Sequence, residues 1–227
     1  MIKLSRRLQA IADLVTGVDS MIDVGSDHAF VPIYLVQQQK VQTAIASEVS
    51  SGPLNISKKD IHQEHLDSQI KTRLGDGLTA LKTDDQVDLA VVAGMGGQLI
   101  TDILKKGQVQ LQTIDQLVLE PNNDEACVRK WLTTHQYQIT QEKIILEGKH
   151  IYEIIAAKRG RNEQLTNEQL IFGPKLMLEK NAVFMQKWQW QLTRNQQMLQ
   201  QLQQAKILDQ TKIAAVNERI KLIEGIL

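Results

Sequence analysis

The chain has 227 residues, 42% hydrophobic and 23% charged, enough to bury a core for one α/β domain plus an appendage, and it is not a disordered polypeptide. Its 26 basic and 26 acidic side chains balance, which argues against partners held by bulk positive charge and leaves only local basic faces for phosphate. The lone cysteine, Cys127, excludes an internal disulfide, no signal-like apolar core follows the first residues, no window has the ~18 apolar residues of a membrane span, and the chain is read as cytoplasmic.

Short apolar runs at residues 20–24, 43–49, 69–74, 87–93 and 116–119 predict strands. Amphipathic stretches at 29–38, 53–66, 97–106 and 124–135 predict helices between or after them. That alternation is the pattern of βαβ units and a parallel sheet. Two further runs, 137–146 and 150–157, flank Gly148 and predict an antiparallel hairpin at the sheet's end. Beyond Gly160 the composition shifts to Gln, Lys and Leu. Gly173-Pro174 interrupts the first helical turn, and a long helix is predicted from there to about Lys206. Met185, Trp188, Leu192, Asn195, Leu199 and Leu202 form one stripe, and Ile213, Val216, Ile220, Ile223 and Leu227 a second. Two stripes that each need a partner predict an antiparallel coiled-coil hairpin, with Asn195 as a register device or a surface drift. The expected organisation is an α/β domain over 1–160 and a coiled-coil domain over 161–227.

Five loops at successive strand ends carry the chemistry. Asp23-Val24-Gly25-Ser26-Asp27-His28-Ala29 ends the first strand, and its one glycine lets backbone amides approach a ligand. The competing reading is a plain strand-to-helix turn capped by Asp27. Glu48, with Val49 beside it, ends the second strand where a carboxylate can accept from ribose hydroxyls, or can simply be solvated. Gly75-Asp76-Gly77 follows the third strand, with Asp76 able to accept from an adenine amine and the glycines equally suited to a tight turn. Ala93-Gly94-Met95-Gly96-Gly97 follows the fourth, with more bare backbone than a structural loop needs. Glu120-Pro121-Asn122 ends the fifth, where Asn122 can meet an adenine edge or cap the next helix. In open α/β sheets ligands bind along this rim. His62, Glu64 and His65 lack metal-site spacing, Cys127 reads as a buried structural thiol, and no Walker lysine motif is present.

These segments resemble the bacterial tRNA adenine-22 N1-methyltransferases. The resemblance is carried by Lys3-Leu4-Ser5-Arg6-Arg7-Leu8, the Gly25-to-Ala29 loop, Gly52-Pro53, Gly75-Asp76-Gly77-Leu78, the loop from Ala93 to Gly97, Pro121-Asn122 and Tyr152-Glu153. It spans residues 1 to about 160, with the rest alike in helical character only. Ser47 stands where the family more often has Gly, and Glu120 where Gln is expected, which places a negative charge near the target base.

The resemblance implies a Rossmann-like class I methyltransferase domain and methyl transfer from S-adenosyl-L-methionine to N1 of adenine 22 in tRNA. Donor contacts would come from Asp23, Gly25, Ser26, Asp27, His28, Glu48, Val49, Asp76, Gly77, Ala93, Gly94, Met95 and Gly96. Asp27 and then His28 are the candidates for managing the product's charge and proton, and Asn122 for orienting the base. Substrate contacts would come from Arg6, Arg7, Gly97, Pro121, Asn122, Arg159 and Arg161. Lys3, Lys158, Lys187, Arg194, Lys206, Lys212, Arg219 and Lys221 add basic surface for phosphates, or merely solubilise helices. No metal is expected. The hairpin either grips tRNA or mediates dimerisation, so the chain is expected as a monomer or weak homodimer. The Asn/Asp-Pro-Pro-aromatic tetrad of amine methyltransferases is absent, which favours a ring nitrogen. A methyltransferase for another substrate, a non-catalytic RNA-binding module and a nicotinamide oxidoreductase remain as alternatives, the last weakened by missing fingerprint glycines.

Overall fold

A computed structural model describes residues 2–160, 164–205 and 208–227. Seven strands form one sheet in the order β3-β2-β1-β4-β5-β7-β6. They are β1 (Ser20–Val24), β2 (Thr43–Glu48), β3 (Ile70–Leu74), β4 (Leu89–Met95), β5 (Gln116–Pro121), β6 (Tyr137–Glu147) and β7 (His150–Arg159). The first five are parallel, and β7 and β6 return antiparallel. The chain reverses its direction of travel across the sheet between β1 and β4, the point where a crevice opens at the strands' carboxyl ends.

The helices are α1 (Arg6–Asp13), α2 (Phe30–Gln37), α3 (Ser51–Gln63), α4 (Gly97–Lys106), α5 (Glu125–Thr134), α6 (Asn167–Phe172), α7 (Leu176–Glu179), α8 (Ala182–Gln203) and α9 (Gln210–Ile226). Successive strand residues feed opposite cores. Met21, Leu89 and Val91 pack with Ile11, Ile33 and Ile61 of α1, α2 and α3, whereas Ile22, Ala90 and Val92 pack with Ile100, Leu104, Val128 and Leu132 of α4 and α5.

α1 was not expected from the sequence. It starts at Ser5, whose hydroxyl accepts from the Leu8 amide at 3.3 Å, and Glu147 of β6 accepts from the Arg7 amide at 3.1 Å. The single long helix expected after Gly173-Pro174 is instead interrupted: Lys180 turns left-handed, and Asn181 caps a fresh helix by accepting from the Val183 and Phe184 amides.

α8 and α9 form a hairpin on a third core. Phe184, Trp188 and Leu192 meet Val216, Ile220, Ile223 and Ile226, together with Phe172, Leu176 and Ile144 of β6. The seam ends at Ile226; Leu227 is exposed. Asn195 donates to the Gln191 carbonyl of its own helix at 2.7 Å.

A buried charge cluster ties this hairpin to the sheet. Arg129 of α5 donates to Glu142 of β6 at 2.7 Å and to Glu153 of β7, and Lys187 of α8 joins Glu153 at 2.7 Å and Glu125 at 2.5 Å. Burial opposes charge on Arg129, but Glu153 and Glu142 outweigh it and hold its pKa above the ordinary value. Burial likewise opposes ionisation of Glu153, and Arg129 and Lys187 bring its pKa below the usual range. Gly173 makes room for this cluster: a Cβ there would lie 2.7 Å from Arg129 Nη2. No helix among the described residues is long and apolar enough to cross a membrane.

Candidate active site

The β1 loop turns through three consecutive non-glycine residues in the left-handed region, Asp27 (φ 23°), His28 (φ 67°) and Ala29 (φ 54°). Each such residue costs about 1–3 kcal/mol, so neighbours must hold the turn. Glu48 Oε1 accepts from the Asp27 amide at 2.7 Å, and His28 Nδ1 lies 2.6 Å from Asp60 Oδ2 on α3. The His28 ring stacks on Phe30 at 4.9 Å. Asp27 does not cap α2: Ala29 sits at the cap position with no side-chain hydrogen bond.

Asp23 lies behind this turn, buried, accepting from Ser26 Oγ at 2.6 Å. Burial pushes its carboxyl up to about 6, helped by the Glu48 carboxylate and opposed by Ser26 and Arg7. Asp23, Gly25, Ser26, Asp27 and His28, with Arg7 and Ala93, line a cavity of about 220 Å³ at the β1–β4 switch.

On the β4 side, Gly94 has φ 76° and breaks the ladder to β5. Its amide donates at 2.8 Å to Glu120 Oε2, which also takes Arg7 Nη1 at 2.8 Å. Glu120 is fully buried, and its Oε1 has no hydrogen-bond partner among the described residues. Burial raises its pKa against the pull of Arg7. The Arg7 guanidinium also lies 5.4 Å from the Tyr152 ring centre. Arg7, expected among the substrate contacts, is half-buried, lines the cavity and is held there by Glu120.

Gly97 opens α4 in a space with no room for a side chain: a Cβ would sit 2.5 Å from the Asp124 carbonyl and 2.8 Å from that of Asn123. Asn123 also accepts from the Gly97 amide through its own carbonyl (3.0 Å) and Oδ1 (3.3 Å). The loop after β5 is thereby locked to the glycine loop after β4. Asn122 is exposed, with its amide bonded to the Met95 carbonyl at 2.8 Å, and Pro121 is buried. At the start of α5 the cap position is held by Asp124, left-handed and with no side-chain capping hydrogen bond, not by Asn122.

Along the other arm Glu48 is buried, and its Oε2 has no donor among the described residues. Val49 beside it is 70% exposed, and with Leu74 at the end of β3 it gives this part of the rim an apolar surface. Gly77 (φ 61°) follows Asp76, whose carboxylate meets Lys106 at 2.9 Å.

One expected substrate contact, Arg159, falls elsewhere. Arg159 lies at the opposite, amino-terminal edge of the parallel strands, bonded to the carbonyls of Leu111 and Ile114 and to Tyr137 Oη, so it braces the sheet away from the rim. Arg161, like Lys206, lies outside the described residues. Arg6 is exposed next to Arg7 on α1. Cys127 is half-exposed in the first turn of α5, within 3.7 Å of Gln98 Oε1, and is not a buried thiol. Among the described residues no group of three or more His, Cys, Asp or Glu side chains converges as a metal site. Asp60, Asn123 and the Arg7–Glu120 pair were not found from the sequence as partners. No local pattern joins residues 28 and 60, or 7 and 120; only the oddity of Glu before Pro-Asn hinted at the last.

A doubly wound sheet with glycine-bared loops and buried carboxylates around one switch-point cavity defines a nucleotide-type α/β ligand-binding protein. The family model of the tRNA (adenine(22)-N(1))-methyltransferases matches residues 21–225. The chain is 35% identical to the Bacillus subtilis tRNA (adenine(22)-N(1))-methyltransferase over all of this chain and 98% of that one. The crystal structure of the B. subtilis m1A22 tRNA methyltransferase superposes with a TM-score of 0.92, covering 100% and 99% of the two chains at 35% identity. The M. capricolum relative in complex with S-adenosyl-homocysteine superposes at 0.88, with 30% identity and 98% and 96% coverage. The chain belongs to the tRNA (adenine(22)-N(1))-methyltransferase family.

Proposed function

We propose that the protein transfers the methyl group of S-adenosyl-L-methionine to N1 of adenine 22 in tRNA. The observation that carries this reading is the convergence of Asp23, Gly25, Ser26 and His28 on one cavity at the β1–β4 switch, in a chain of this family. The donor's chemistry suits these groups. Asp23 is a buried carboxylate for its amino group, and Glu48 Oε2 can take a ribose hydroxyl. Val49 offers a face for the adenine and Asp76 an acceptor for its amine, while Gly77, Ala93, Gly94, Met95 and Gly96 bring main chain close.

When bound, the donor supplies a methyl group already activated on a sulfonium. The protein's task is then orientation, which can contribute about 7–11 kcal/mol toward the barrier. Adenine N1 attacks with a neutral lone pair, so no side chain need deprotonate it first. The methylated base carries a positive charge until a proton leaves N6. Asp27, exposed beside the cavity, is the acceptor we assign to that proton, with His28 held next to it by Asp60. Asn122 and Gly97 orient the base, Pro121 shapes its wall, and Arg6 meets phosphate. Arg7 holds the wall through Glu120 and Tyr152. The catalytic unit is assigned to residues 1–160 and the helical hairpin to 161–227, acting in the cytoplasm as a monomer or weak homodimer.

The test is mass spectrometry of nucleosides and of nuclease fragments from an unmodified tRNA transcript incubated with protein and donor. 1-Methyladenosine at position 22 is expected, and Asp27→Ala should lower kcat at least about tenfold, equivalent to about 1.4 kcal/mol. Full activity in that variant removes Asp27 from the mechanism; methylation of another nucleoside instead removes the assignment.

A further inference from the structure

A second concavity, of about 650 Å³, adjoins the rim and is larger than the donor cavity. It runs from Asn122 and Asn123 past Lys149 in the β6–β7 turn to α8 and α9. Asn123 belongs to both sites, since it also holds the Gly97 amide.

The cleft is cationic in a chain of zero net charge. Lys149, Lys187, Arg194 and Arg219 face it against two carboxylates, Asp124 and Glu125. Lys187 is already engaged with Glu125 and Glu153. Arg219 is different: it is half-buried, stacked 5.3 Å from the Trp188 ring centre and 6.0 Å from that of Phe172, with no carboxylate at ion-pair distance among the described residues. Glu125 acts on it only from beyond ion-pair distance, and a guanidinium seated on aromatic rings with no ion pair among the described residues is prepared for an anion from outside. Arg194 and Lys149 are exposed and likewise have no ion pair among the described residues. Trp190 lines the same cleft and is 49% exposed, although Trp188, two residues before it, is buried. Arg194 follows it by one helical turn.

An exposed indole among cations, with only half-buried Ile151 and Ile171 as further large aliphatic lining, is a small apolar patch for a protein partner, which would bury a continuous apolar face. It suits a strand that alternates flat bases with phosphates. We propose that this cleft holds the RNA strand adjoining the target adenosine, with one base stacked on Trp190 and its flanking phosphates on Arg194, Arg219 and Lys149. The proposal rests on the tRNA-methyltransferase reading and extends it from the transferred methyl group to the grip on the substrate.

The test uses the full chain and an unmodified tRNA transcript. Trp131 and Trp188 are buried, so quenching of the exposed Trp190 reports RNA binding directly, without donor. Quenching is expected in the wild type and lost in Trp190→Phe. In turnover, Trp190→Ala should raise the tRNA KM about tenfold, with kcat and S-adenosylhomocysteine affinity unchanged, and Trp190→Phe should restore most of the loss. Arg194→Gln should lower the slope of log KM against log salt by about 0.7–0.9. An unchanged tRNA KM in Trp190→Ala, with active wild type, overturns the proposal. So does a change in molecular mass by light scattering in that variant, which would mark the cleft as a protein interface. If wild-type protein methylates no tRNA but the transcript still quenches Trp190, the catalytic reading fails and the cleft assignment stands.

Discussion

Replacing Asp23 by Asn separates the cost of the site from its use. Asp23 is buried, and its carboxyl sits at about 6 against an ordinary 3.8. A carboxyl held that far above its ordinary value disfavours the folded anion by about 3 kcal/mol. The sign follows from the raised folded-state pKa. Below about pH 4 the group is protonated in both folded and unfolded chains and costs nothing; as pH rises through about 6 the folded chain must hold a desolvated anion, and stability falls. Asparagine does not titrate. Asp23→Asn should therefore be more stable than wild type by about 2–3 kcal/mol near pH 7.5 in urea, shrinking toward zero near pH 4. The same variant should bind S-adenosylhomocysteine at least about tenfold more weakly, because no carboxylate remains for the ligand's ammonium group. Wild-type affinity should weaken as pH drops below about 6, while the variant's stays flat. A stability difference that does not change with pH, or a variant less stable than wild type at pH ~7.5, would refute a desolvated carboxylate at this position.

Three further outcomes follow from the geometry. Gly97→Ala forces a methyl against two carbonyls, at 2.5 and 2.8 Å, and should destabilise by about 1–3 kcal/mol while uncoupling the two loops; calorimetry and methyl transfer should both register it. Arg129→Met strands the buried Glu142 and Glu153 carboxylates and should cost about 3–5 kcal/mol in urea denaturation, with Glu142→Gln added in the same chain recovering part of it. Arg159→Gln should lower the melting temperature yet leave the tRNA KM within about twofold, since the side chain lies at the far edge of the sheet; a rise of about tenfold or more would put RNA contact there after all.

The sheet was legible because its signals are local. Apolar runs such as Leu89 to Val92 are buried on both faces and end at glycines, so a parallel sheet follows from period and punctuation alone. The rim was legible for the same reason: Gly25, Gly77 and Gly94 adopt positive φ where the chain leaves a strand. α1 was not legible, because residues 6–13 gain their helix from Ser5, Glu147 and the apolar face they bury, not from a long amphipathic run. The break at Lys180 and Asn181 was hidden by apolar spacing that continues across it.

The sequence by itself determined which loops carry glycines and carboxylates, and that they all end strands of one parallel sheet. Tertiary structure decided what each charge does. Arg7 was drawn onto Glu120, Lys187 into a buried cluster, Arg159 to the opposite edge, and Arg219 onto the rings of Trp188 and Phe172. The physical reason is range. Backbone conformation and amphipathic period act over a few residues, whereas the state of a charge depends on burial and on partners brought from distant parts of the chain.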